Sequence, residues 1–169
     1  MKSKLVHREY LTKEELQRIA DKSFTTARLS QVRDFFLFSC YTGLSYADVQ
    51  KLKLSDIRLG NDGEKWLYGY RKKTGTRVAV PLLPFARDIL DRYKEHPFCI
   101  NHDRALPVSS NQKRNEYLAE IAIVSEVLKV LANRVAKRTF DTTVTLLNSV
   151  PIESVSKMMG HNNIPTTQL

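Results

Sequence analysis

Arg134 and Lys137 stand three residues apart in a stretch of helical propensity, a spacing that puts both side chains on one helix face. Arg138 adjoins them. A basic helix face of this kind can hold phosphate groups through charge-assisted hydrogen bonds. Lys72 and Lys73 sit beside Thr74-Gly75-Thr76, which reads as the turn of a hairpin. Neighbours on a strand point opposite ways, so one of the two lysines shares a face with the partner groups. Ser45 opens a Ser-Tyr-Ala-Asp capping box, where it can act simply as a helix cap or donate one hydrogen bond from its hydroxyl without supplying charge. His161 follows Gly160, where it can answer helix-end carbonyls or take part in proton transfer. His7, His96 and His102 show no metal-site spacing.

These residues need a scaffold, and the chain is long enough to bury one core: 169 residues, 42% hydrophobic and 27% charged. The net charge is +9, which favours a polyanionic partner, double-stranded DNA first and an anionic membrane surface second. No apolar run reaches the length of a membrane span, and the start carries no apolar signal core. Cys40 and Cys99 are expected as reduced thiols, with cytoplasmic placement, no metal and no cofactor. No small-molecule substrate is expected.

The elements expected are mainly helical. Residues 1–11 read as an arm. Thr12-Lys-Glu-Glu15 caps a helix starting near Lys13, and Arg28 to Thr42 forms a second, closed by Gly43. Ser45 opens a short helix to about Leu52. A turn at Asn61-Asp-Gly63 precedes two strands, Lys65 to Lys72 and Arg77 to Leu82. Pro84 starts a helix to about Glu95, and His96 to Leu106 is read as loop. Ser109-Ser110 cap a helix from Asn111 to about Glu120. Further helices run from Asn133 to Leu147 and from Pro151 to Met159. Trp66 and the Phe35-Phe36 pair are assigned to the core. The fold class is therefore mainly α with a small antiparallel β-hairpin or sheet.

Five segments, in order, resemble the tyrosine recombinase (phage integrase) catalytic domain. Phe38-Ser-Cys-Tyr-Thr-Gly-Leu-Ser-Tyr-Ala-Asp-Val49 is similar to that family's Thr-Gly-Leu-Arg motif. Arg71-Lys-Lys-Thr74 with Val78-Ala-Val-Pro-Leu-Leu-Pro84 is similar to its lysine-bearing hairpin. Pro107-Val-Ser-Ser-Asn-Gln-Lys-Arg-Asn115 and Ala136-Lys-Arg-Thr-Phe140 resemble further segments. Gly160-His161 followed by Thr166-Thr-Gln-Leu169 is similar to the triplet and Thr-Thr-x-x-Tyr segment that close the domain. The Ser-Tyr-Ala-Asp variant looks most like integrases of mobile elements in Bacteroides-type bacteria.

The resemblance implies one catalytic domain over 1–169, ending one residue before the nucleophilic tyrosine and lacking the family's N-terminal DNA-clamping domain. It implies metal- and ATP-independent strand cleavage and rejoining through a 3′-phosphotyrosyl bond, and self-association on DNA. Carried over by position, Ser45 takes the first arginine's place and supplies no charge. Lys73, with Lys72 as alternative, matches the lysine that protonates the leaving 5′ oxygen. Arg134 stands where the family has histidine or lysine, Lys137 where it has its second arginine, and His161 at its histidine. Lys72, Lys73, Arg77, Lys113, Arg114, Arg138 and Lys157 are expected to contact DNA. This chain alone is expected to be inactive. The alternatives are a DNA-binding module that no longer cuts and a helix-turn-helix regulator built on Leu147 to Gly160.

Overall fold

The computed structural model describes residues 9–145. Along the chain run α1 (Lys13–Asp21), α2 (Ala27–Thr42), α3 (Tyr46–Gln50), β1 (Ile57–Leu59), β2 (Lys65–Tyr70), β3 (Arg77–Pro81), α4 (Pro84–Tyr93), α5 (Pro97–His102), α6 (Asn111–Val124) and α7 (Asn133–Thr139). The expected class holds: helices dominate, beside one three-stranded antiparallel sheet in the order β1-β2-β3.

α2 is the central element. From Val32 to Cys40 it is buried on every side, with Val32, Phe35, Phe36, Leu37, Phe38 and Cys40 in the core. α1, α4, α6 and α7 pack around it. Two charged residues share its buried surface, and both are occupied. Arg33 donates to the carbonyls of Ile19, Ala20 and Lys22, the orphan acceptors at the end of α1. Its Nε also meets Asp34 Oδ1 at 2.7 Å. Asp34 in turn accepts from Tyr93 Oη and Arg92, which fastens α4 to α2. α2 ends at Gly43, whose φ of 72° is the left-handed conformation that favours glycine.

The sheet carries the hairpin. Leu67 pairs with Val80 and Tyr70 with Arg77. The turn closes with Arg71 N–H on Thr76 O and Gly75 N–H on Arg71 O, at 2.8 and 2.7 Å. Gly75 takes a φ of 70° there.

Several expectations are corrected. The strand β2 ends at Tyr70, so Arg71, Lys72 and Lys73 belong to the turn and the alternation rule does not separate the two lysines. Residues 97–102 form α5 rather than loop, because Pro97 suits a first helical turn and His96 Nδ1 accepts the Phe98 N–H. β1 was not expected; at three residues it carries too little alternation to read. α6 extends to Val124 and turns at Ser125-Glu126, where Glu126 has a φ of 57°. Only half of the Ser45 capping box forms: Ser45 Oγ accepts the Asp48 N–H at 3.2 Å, but the Asp48 carboxylate points elsewhere. Leu11 is not part of a free arm. It is fully buried, its N–H donating to Thr139 Oγ1 and its carbonyl accepting from Thr143 Oγ1. Trp66 is half-buried outside the core, its indole N–H donating to Asp62; Phe35 and Phe36 are in the core as expected.

The helix expected from Asn133 changes character before its end. α7 runs to Thr139 and continues as a π-helical turn over Phe140–Val144, with Thr145 N–H bonding Phe140 O. The expected helix from Pro151 to Met159 lies outside the described residues, as do His7, His161 and Lys157.

Candidate functional site

A cleft of about 760 Å³ opens where α3, the β2–β3 turn, the first residue of α6 and α7 converge. α3 presents Ser45 and Asp48. The turn presents Arg71, Lys72, Lys73 and Thr74, and α6 begins with Asn111. From α7 come Asn133 and Lys137. Ser45, Lys72, Lys73 and Lys137, far apart in sequence, are thus brought together. Arg134 is not: it is exposed, and Asn133 rather than Arg134 faces the cleft. Arg138 is half-buried on α7 and outside the lining residues, and Arg77 is exposed on β3.

Arg71 was missed as a site residue: it follows the last residue of β2, so strand alternation does not fix its direction, and the turn sets its place beside the cleft.

The positioning is backbone-based. Asp48 is 7% exposed, and its Oδ1 accepts the Lys72 N–H at 2.9 Å while Lys51 Nζ lies 3.8 Å away. This carboxylate ties α3 to the turn that bears the cations. Ser45 is half-buried, and capping uses its oxygen as an acceptor. Tyr46 donates to the carbonyl of Ser109, linking α3 to the residue just before the α6 cap.

The cleft is cationic but not uniformly so. Burial lowers the pKa of Lys137, and the positive charges of Arg71 and Lys73 add to that; Asp141 and Asp48 oppose it. Burial also lowers the pKa of Arg71, against the pull of Asp48 and Asp141. A guanidinium stays protonated regardless. Asp141, one turn after Lys137, is pushed up to about 6 by burial, with Lys137 and Arg71 pulling the other way.

Lys113 and Arg114 line a different hollow, of about 500 Å³, with Arg28, Ser110 and Tyr117. Lys113 is exposed there. Arg114 is 4% exposed, its guanidinium 3.5 Å from the Tyr46 ring centroid and bonded to Asn111 Oδ1. Such stacking braces Tyr46 behind the cleft.

Among the described residues no His, Cys, Asp or Glu cluster could hold a metal ion. Cys40 and Cys99 are free and buried, and burial raises both thiols. No described helix is long and apolar enough to cross a membrane.

Helices surround a small sheet, and an arginine and lysines converge from a helix and a hairpin turn on one cationic cleft. The phage integrase family matches residues 9–169, and the chain belongs to that family. Its fold is similar to that of XerA recombinase: TM-score 0.74 at 20% identity, covering 94% of this chain and 58% of that one. It is similar also to a lambda integrase dimer bound to a COC′ core site (TM-score 0.72, 18% identity, 98% of this chain and 60% of that one). A third likeness is to XerH site-specific recombinase in a post-cleavage complex with palindromic difH substrate (TM-score 0.72, 18% identity, 95% and 48%). The chain spans about half to three-fifths of the length of these proteins.

Proposed function

We propose that the cleft receives a backbone phosphate of double-stranded DNA, and that the chain is the catalytic-domain portion of a site-specific tyrosine recombinase. The observation supporting this reading is the convergence of Arg71, Lys73 and Lys137 on one cleft behind Ser45. Arg71 supplies the guanidinium that Ser45 lacks, and it can offer two parallel hydrogen bonds to the non-bridging oxygens. Lys137 adds a second positive charge as a point donor. Lys73 or Lys72, both on the turn, delivers a proton to the departing 5′ oxygen. His161 assists proton movement, and a tyrosine following Leu169 attacks the phosphorus to form the 3′-phosphotyrosyl bond. No metal or cofactor enters this scheme. Assembly of several copies on DNA and a bacterial cytoplasmic setting belong to the same reading.

A second reading has its own support. Lysine at position 137 cannot form the bidentate contact of an arginine, and Asp141 places a negative charge near it. Losing one well-aligned donor to a developing oxyanion costs about 10²–10³ in rate. The chain would then hold DNA without cutting it. The helix-turn-helix alternative rests on residues outside those described.

The test uses the chain extended by the codons that follow Leu169 in its gene, incubated with a nicked attachment-site duplex. An SDS-resistant adduct, abolished when the added tyrosine is replaced by phenylalanine and when Arg71 is replaced by alanine, supports the recombinase. Salt-sensitive binding without adduct supports the second reading. Neither binding nor adduct sinks both.

A further inference from the structure

We infer that Asp141 is a built-in counter-ion of the cleft, competing with DNA phosphate for Lys137 and Arg71, so that DNA binding draws a proton from solvent onto its carboxyl. The inference rests on the reading of the cleft as a phosphate site.

Geometry comes first. Asp141 is the second residue of the π-helical turn that continues α7, four positions after Lys137, and therefore follows it on one face of the helix. Its Oδ1 is shut off from solvent, and among the described residues no donor reaches it. Buried carboxylate oxygens are ordinarily satisfied. Asp48, which lines the cleft, shows what satisfaction looks like beside the same cations, with a backbone N–H at 2.9 Å and Lys51 beside it. Among the described residues Asp141 has no ion pair within 4 Å, and Lys137 and Arg71 act on it through space.

Among the described residues, the charges facing Asp141 are Lys137 from its own helix and Arg71 from the hairpin turn. Asp48 and Lys73 face Lys137 in turn. A phosphodiester entering this group brings a fixed negative charge toward Lys137 and Arg71. It takes over the attraction that keeps Asp141 ionised and adds repulsion of its own. The carboxyl responds by accepting a proton from the buffer, as a carboxylate does when a like charge shares its site. The burial that raises its affinity for protons already poises it near 6, within reach of such a perturbation. Asp141 thus sets a threshold: the cleft attracts phosphate more weakly than its cations alone would allow, and more strongly as pH falls.

The experiment measures binding of a fluorescently labelled duplex of mixed sequence by anisotropy, at fixed salt, for wild type, Asp141→Asn, Lys137→Ala and Arg71→Ala. Asp141→Asn is expected to bind on the order of tenfold tighter at pH 7.5, converging on wild type near pH 5. Asp141→Asn binding like wild type at both pH values, while Lys137→Ala weakens binding, overturns the inference and leaves the phosphate cleft standing. Unchanged binding in Lys137→Ala and Arg71→Ala removes the cleft reading and the inference with it. Wild-type calorimetry needs no variant: titration with duplex at pH 7 in two buffers of different ionisation heat should show net proton uptake. No uptake overturns the inference even if Asp141→Asn fails to fold.

Discussion

Asp48 and Lys72 are joined by a hydrogen bond of 2.9 Å from the Lys72 backbone N–H to the Asp48 carboxylate. The bond explains why the Ser45 capping box stays half-built: the carboxylate that would close it is used to hold the cation-bearing turn. Asp48→Ala should therefore loosen the turn more than it weakens α3. Losing a charged acceptor costs about 1.5–3 kcal/mol. Amide exchange at residues 72–75 is expected to accelerate relative to α2, with DNA affinity falling alongside. Asp48→Asn keeps an acceptor oxygen and should restore much of the protection. Uniform acceleration across the molecule would mean that Asp48 merely stabilises the fold.

Ser45 and Arg71 make opposite predictions although they border the same cleft. Ser45→Ala removes a helix cap and should cost about 1 kcal/mol in urea unfolding, with little change in phosphate affinity. Arg71→Ala should abolish salt-sensitive DNA binding or reduce adduct formation by about 10²–10³. Arg71→Lys, which keeps the charge but loses the planar fork, should recover binding more than cleavage. Equal losses in Ser45→Ala and Arg71→Ala would contradict the assignment of the guanidinium role to Arg71.

Much of this architecture was legible because its signals are local. The Thr12 box, Gly43 and the Thr74-Gly75 turn each fix an element boundary by the chemistry of one or two residues, and each stands where expected. What escaped was set by tertiary partners. Asp48 could close its own cap or bind Lys72, and nothing near it in sequence decides between them. Leu11 looked like arm because its partners, Thr139 and Thr143, lie at the far end of the chain. Spacing suggested that Arg134 and Lys137 share a helix face, but residues three apart still differ by about 60° in direction. Which of them meets the hairpin depends on how α7 is rotated against α2, and the packing turned Lys137 inward and Arg134 out.

The clip at Leu11 predicts a stability defect remote from the cleft. Thr139 Oγ1 accepts the Leu11 N–H at 2.9 Å and donates to Val135 O at 2.7 Å. Thr139→Val conserves shape but leaves a buried N–H without an acceptor, at a cost of about 1–3 kcal/mol. Thr139→Ser should recover most of it. Chemical denaturation of the three proteins reads the difference; equal midpoints for Val and wild type would show that Leu11 is held by packing alone.

Asp141 predicts how stability varies with pH. Its carboxyl titrates near 6 in the folded chain, against an ordinary value of 3.8. Between those limits the folded state holds the proton more tightly than the unfolded state does. The stability linked to that proton is complete below the lower value and lost as pH rises through the upper one. At neutral pH the wild type therefore carries an ionised, half-buried carboxylate that Asp141→Asn would not. The variant should be more stable by roughly 3 kcal/mol at pH 7.5, the shift from 3.8 to about 6 giving the scale. The gap should close between pH 6 and 4. Lys137 cannot mimic this trend, because a lowered value means that its folded form holds the proton less tightly than the unfolded chain, which makes stability rise with pH rather than fall. Urea midpoints across that range for both proteins decide the matter. A constant gap at every pH would mean that asparagine gains a hydrogen bond rather than relieving a charge.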